Sequence, residues 1–166
     1  MKWYTKLLVF LAIGTLLFVI FGFSYVIRAK YQMNEYNIQL GVAFNAATFV
    51  NATETFTDEE NAVIATYEGK SAVIVPENYK ALQSYLRRDY AMPPFGKVKD
   101  ESALHISICG ESHLYIQGDK DGQGALLRLD TDGKSFLMHV TGGDLWEKIL
   151  KIALEGRNDY PNIPLE

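Results

Sequence analysis

The sequence predicts an α+β fold: an N-terminal transmembrane helix, then a small domain with a mostly antiparallel sheet packed against two or three helices. Three observations lead there. One is an uncharged apolar run at residues 7–27. The second is a pair of tight-turn signatures with strand-like flanks, and the third is two amphipathic helical stretches set off by Pro or Gly. At 166 residues the chain suffices for one domain and an appendage.

The apolar run, LLVFLAIGTLLFVIFGFSYVI, contains no charge and no Asn, Gln, His or Pro. About 20 such residues cross a ~30 Å hydrocarbon core as a helix. Lys2 and Lys6 precede it, Arg28 and Lys30 follow it, and Trp3, Tyr4, Tyr25 and Tyr31 stand near the headgroup levels. The run exceeds a cleavable signal core and leads to no small-x-small cleavage site, so an uncleaved signal anchor is expected. It is apolar all round, unlike a helix that covers a core with one face. Basic residues near the span are equal on its two sides. The free amino terminus then tips the expectation toward a short cytoplasmic tail at 1–6 and a domain outside the cell membrane.

Beyond residue 30, 12 basic residues stand against all 20 acidic ones, a formal charge of −8. An acidic domain is unsuited to nucleic acid, which needs a basic surface. Cys109 is the single cysteine, which excludes an internal disulfide and a multi-cysteine zinc site. After an apolar run it is expected to be a small buried hydrophobe.

Residues 28–56 form a juxtamembrane segment in which Tyr36, Leu40, Ala43, Ala47 and Val50 recur at helical spacing. The membrane helix is expected to run on through it or to break briefly near Asn34. The α+β domain is placed at 57–156. It opens with NAVIATYEGKSAVIVP, two β-branched runs around Glu68-Gly69 that read as a hairpin. Pro76 starts a helix with Tyr79, Leu82, Tyr85 and Leu86 on one side and Arg87 and Arg88 in its last turn. AMPPFGKVKDES is a loop by its prolines and glycine. ALHISICGESHLYIQGD gives one strand or two strands kinked at Gly110. The final helix is expected to start at Asp144 as N-cap, with Glu147 three residues on, and to stop at Gly156, burying Leu145, Ile149, Ile152 and Ala153. Residues 157–166 form an extended tail.

GDKDGQGALLRLDTDGKSF can be read in two ways. Asp119, Asp121, Gln123, Gly124 and Asp130 approximate the spacing of a calcium-binding EF-hand loop. With Asp132-Gly133 as a two-residue turn, however, Thr131 pairs with Lys134, Leu129 with Phe136, Leu127 with Met138 and Ala125 with Val140. That register puts six apolar residues on one face, and a slip by one would bury Arg128 and Asp130. An EF-hand would need helical flanks and a chain that coils back, so the hairpin is preferred and metal ligation is not expected. Asp119 and Asp121 alone stay as candidates for a weak surface ion.

No cofactor pattern is present: neither G-x-G-x-x-G nor G-x-x-x-x-G-K-[ST] occurs. His105, His113 and His139 lie in the strand region, and a small hydrolase using them is the least favoured of the functions considered. Ser135 and Asp130 stand about 13 Å along a strand from His139, too far for a triad. Three half-exposed sheet histidines are expected, without a catalytic constellation. The leading expectation is a single-pass membrane protein whose acidic domain is a protein-interaction module with a protein partner. Arg128, Ser135, Leu137 and His139 are taken as the interaction face.

The outline, a hydrophobic amino-terminal helix continuing into a helix and an antiparallel sheet, is similar to type IV pilins and pseudopilins. That likeness implies a structural subunit of an envelope assembly. The acidic residue which that family carries in the first turn of its mature helix has no counterpart here, and Gly14 and Gly22 lie inside the span.

Overall fold

The computed structural model describes residues 3–53, 62–87, 96–119 and 124–155. The longest element is α1 (Trp3–Thr53), one uninterrupted helix of 51 residues. At ~1.5 Å per residue it extends about 77 Å. There is no break near Asn34. The segment lacks Pro, and although its Asn and Thr residues are modest helix formers, packing of its second half overrides propensity. Its apolar amino-terminal part is long enough to cross a membrane and is not buried against the rest of the protein.

The second half of α1 is part of the domain. Met33, Tyr36, Leu40, Ala43, Phe44 and Ala47 recur every three or four residues and are all buried in the main core. Tyr36 also donates its hydroxyl to the carbonyl of Leu86, 3.2 Å away, tying α1 to the next helix.

Strands β1 (Val63–Tyr67) and β2 (Lys70–Val73) form the expected hairpin. Both turn residues are left-handed, Glu68 at φ 48° and Gly69 at φ 72°, as a two-residue type I′ turn requires. Helix α2 (Pro76–Leu86) buries Tyr79, Leu82 and Leu86. Arg87 does not form its last turn. Arg87 is the C-cap with extended backbone, because the helix ends at Leu86, and Arg88 lies outside the described residues.

Four strands follow: β3 (Leu104–Ile108), β4 (Ser112–Gly118), β5 (Gly124–Thr131) and β6 (Lys134–Thr141). At Gly110 the chain turns back rather than merely kinking, and Ile108 pairs with Ser112 across a three-residue turn. Cys109 belongs to that turn, at φ 51°, and is half-exposed rather than buried in a strand. All six strands make one antiparallel sheet in the order β2-β1-β3-β4-β5-β6. The β5–β6 register is the predicted one at each pair, Thr131 with Lys134 through Ala125 with Val140, and Asp132 and Gly133 both adopt positive φ.

Helix α3 (Leu145–Leu154) buries Leu145, Ile149 and Ala153, and Ile152 is only partly buried. Asp144 precedes it, but the capping box does not form. Its backbone is left-handed, at φ 62°, with no side-chain cap bond. The Leu145 amide donates to Gly142 in a tight turn, so the residue before the helix supplies positive φ instead of a capping oxygen. The predicted stop at Gly156 and the tail at 157–166 lie outside the described residues.

The three helices cover one side of the sheet. α1 packs against β3, β5 and β6, α3 packs against β2 and β5, and α2 touches both other helices. The core between them holds Leu104, Ile106, Ile108, Leu114, Ile116, Leu127 and Leu129. Strand periodicity sends the alternate residues to the other side, and there the chemistry of the protein lies.

Candidate functional site on the outer sheet face

Because side chains alternate, the register places His105, Tyr115, Arg128 and Leu137 in one row across four strands. Ser107, His113, Asp130 and Ser135 make the adjacent row. Neighbours in such rows lie about 4.5–5.5 Å apart, close enough to interact. The imidazole of His105 stacks on Tyr115, with centroids 4.7 Å apart and planes 18° from parallel. The guanidinium of Arg128 lies over the same tyrosine, 4.2 Å from its centroid.

Arg128 organises the acidic groups around it. Its Nη1 and Nη2 donate to the two carboxylate oxygens of Asp100 at 2.7 and 3.0 Å. Its Nε donates to Asp130 at 2.9 Å. Asp100 belongs to a single 3-10 turn, Asp100–Ser102, in the segment that crosses the outer face. The other oxygen of Asp130 accepts from the hydroxyl of Ser135 at 2.6 Å. The hydrogen bonds to Asp100 hold Arg128 above the ordinary guanidinium range, and the same contact holds the Asp100 carboxyl below the ordinary carboxylate range. These fork-shaped contacts fix the arginine in orientation as well as charge.

His105 Nε2 and His113 Nδ1 are 3.1 Å apart, so one ring donates to the other. Burial is the main cause that keeps His105 below the ordinary imidazole value, the charge of His113 adds to it, and Asp100 opposes it. A histidine with a lowered folded value favours the unfolded chain as it gains its proton. Its contribution is therefore complete above the unfolded value of about 6.5. It declines as pH falls below that, until the folded value is passed. His105→Gln is expected to remove the part of the acid loss that sets in as pH falls below about 6.5. Thermal melts followed downward from neutral pH check it; an unchanged pH dependence would deny His105 that role.

The four residues proposed as an interaction face do share this side of the sheet, but in three settings. Arg128 and Ser135 are joined through Asp130. Leu137 packs beside a small cluster of Val98, Ala103 and Leu126, which the crossing segment partly covers. His139 stands apart at the far end, its Nε2 2.8 Å from Asp119 Oδ2. All three histidines are half-buried, as expected.

Of the two metal candidates only Asp119 is described. The Asp119 carboxylate meets His139, and Asp121 lies outside the described residues. Among the described residues no group of three or more His, Cys, Asp or Glu side chains is placed to hold a metal ion. Burial pushes the Cys109 thiol up, with Glu111 adding to the shift, so it is not an activated nucleophile.

Sequence reasoning missed His113, Asp130, Tyr115 and Asp100 as members of the array. His113, Asp130 and Tyr115 were within reach, since a three-residue turn at 109–111 fixes the β3–β4 rows. Asp100 was not, because its approach depends on how a loop crosses the sheet. Below the second row, Glu111, His113, Asp130, Asp132, Lys134 and Ser135 are among the residues around an open depression of about 360 Å³.

Fold and array together define a sheet domain on a long apolar helix, with its ordered polar and aromatic residues on the side the helices leave free. No protein-family model, no curated protein and no solved structure matches this chain.

Proposed function

We propose that the chain is a single-pass membrane protein, anchored by residues 7–27 with its amino terminus in the cytoplasm, whose outer sheet face binds another protein. One observation carries this. All three helices lie on one side of the sheet, while the opposite side carries a pre-ordered array of His105, His113, Tyr115, Arg128, Asp130 and Ser135 in place of an aliphatic layer. Tyr and Arg held rigid by neighbours lose little entropy on binding, which suits them as anchors. Ser135 is exposed beside the depression, and a partner with hydrogen-bond donors and acceptors fits there better than an apolar one.

Photocross-linking groups at Ser135 and His113 of the full chain in its membrane are expected to capture one discrete partner. The same group at Lys80 or Lys148, on the helices, is expected to capture it far less. Equal yields at all four positions would discard the outer face as the binding surface.

A second reading, a structural subunit, is favoured by the uninterrupted 51-residue helix. Such a subunit would form long polymers once detergent is withdrawn, where the binding module would not.

A further inference from the structure

We propose that the free edge of β6 receives an extended segment of another protein as a seventh strand, one in which apolar residues alternate with polar and basic ones. This edge is a different surface from the outer face, and the inference does not rest on the binding proposed there. β6 stands last in the strand order, with β5 as its one neighbour. The two-residue turn at Asp132-Gly133 makes Thr131 and Lys134 a hydrogen-bonded pair, so Phe136, Met138 and Val140 also bond to β5. Gly124 agrees with that alternation, since its carbonyl accepts from Asp119 on the β4 side, 2.9 Å away. Ser135, Leu137 and His139 therefore turn their amides and carbonyls away from β5. Among the described residues, none of those groups bonds to the backbone of another segment.

Open sheet edges are ordinarily blunted. The opposite edge, β2, has only four residues, and α3 packs against it. β6 has eight residues, no proline and a register unbroken by any bulge. Its one lysine, Lys134, is held by Glu35 at 2.7 Å. A row of unmet main-chain donors and acceptors specifies the chemistry of its occupant, a second main chain in extended form. Space for it exists beside the edge, in a groove of about 610 Å³ lined by residues 134–138 of β6 and by Tyr31, Gln32 and Glu35 of α1. Side chains of the added strand that follow the pleat toward α1 meet Tyr31, Phe136 and Met138, which suits apolar residues, while alternate ones emerge beside Ser135. The formal charge of −8 beyond residue 30 favours basic residues over acidic ones there. A second copy fits the edge less well. Two β6 edges pair antiparallel about a two-fold axis perpendicular to the sheet. Because α1 lies along the sheet, that axis falls in the plane of the membrane if α1 crosses it, and one of the two copies would be inverted relative to its anchor.

The test follows amide hydrogen exchange by NMR on the full chain in micelles. The probe is a synthetic peptide that alternates valine with threonine and carries a lysine at each end. Without it, the amides of Ser135, Leu137 and His139 are expected to exchange at least ten-fold faster than those of Phe136 and Met138. Saturating peptide is expected to slow the first three at least ten-fold and to leave the other two unchanged. The same peptide N-methylated at every amide is expected to give no protection, and glutamates in place of its lysines are expected to weaken binding at least five-fold. Edge amides already protected in the chain alone, by its own residues or by a dimer, would overturn the inference. So would absence of protection at saturation, or equal protection by the N-methylated peptide. Equal binding of the glutamate form would overturn the preference for a basic segment.

Discussion

Replacing Leu40 with alanine is expected to cost about 2–5 kcal/mol of domain stability, the range for removing a buried leucine side chain. Leu40 is fully buried, midway along the line that α1 lays into the core beside Tyr36 and Phe44. Truncation leaves a void that a helix clamped against β3, β5 and β6 can close only in part. Val42, two residues on, points to the other side of the same helix. Val42→Ala is expected to fall within about 0.5 kcal/mol of the parent, as exposed substitutions do. Denaturant titration of the full chain in micelles compares the two. If both variants matched the parent, the second half of α1 would be a mere connector rather than a layer of the fold.

Gly118→Ala is the second large effect, expected at about 1–3 kcal/mol, the range for overpacking. Gly118 ends β4, and the indole of Trp146 lies directly on it. A Cβ built there would stand 2.8 Å from Trp146 Cγ. The indole is not free to swing aside, because it also meets Tyr67 edge-on with centroids 5.7 Å apart. The substitution must therefore displace α3 or distort the strand end. In a Trp146→Ala background the penalty of Gly118→Ala is expected to shrink toward zero, since the clash has lost its partner. Equal penalties in the two backgrounds would place the strain in the backbone instead.

Turn chemistry and periodicity made most of this fold readable. Glu68-Gly69 and Asp132-Gly133 announced two hairpins, and alternation from Ala125 to Val140 fixed the last register to the residue. Pro76 and the apolar spacing after it located α2. Legibility failed where tertiary geometry overrides local preference. Asp144 looks like a cap, yet the glycine turn before it requires a left-handed residue. Arg87 looks like a last-turn cation, yet α2 ends one residue earlier. The candidate site was half legible. Arg128, Ser135, Leu137 and His139 were assigned to one face by periodicity alone, while the bidentate contact from Asp100 joins residues 28 positions apart through a loop whose path no local pattern records.

The unbroken α1 has a bearing on how a partner would be found. Beyond the proposed span, residues 28–53 rise about 39 Å at ~1.5 Å each, and the sheet is packed along that rise rather than hung from its tip. If residues 7–27 cross a membrane as proposed, a helix without a hinge would set the standoff of the domain above the bilayer and leave it mainly rotation about the membrane normal. The outer face would then sweep a thin cylindrical shell close to the lipid surface. Within that shell, ligands embedded in the same membrane would be met by a two-dimensional search, at an effective concentration that a freely diffusing ligand would not match.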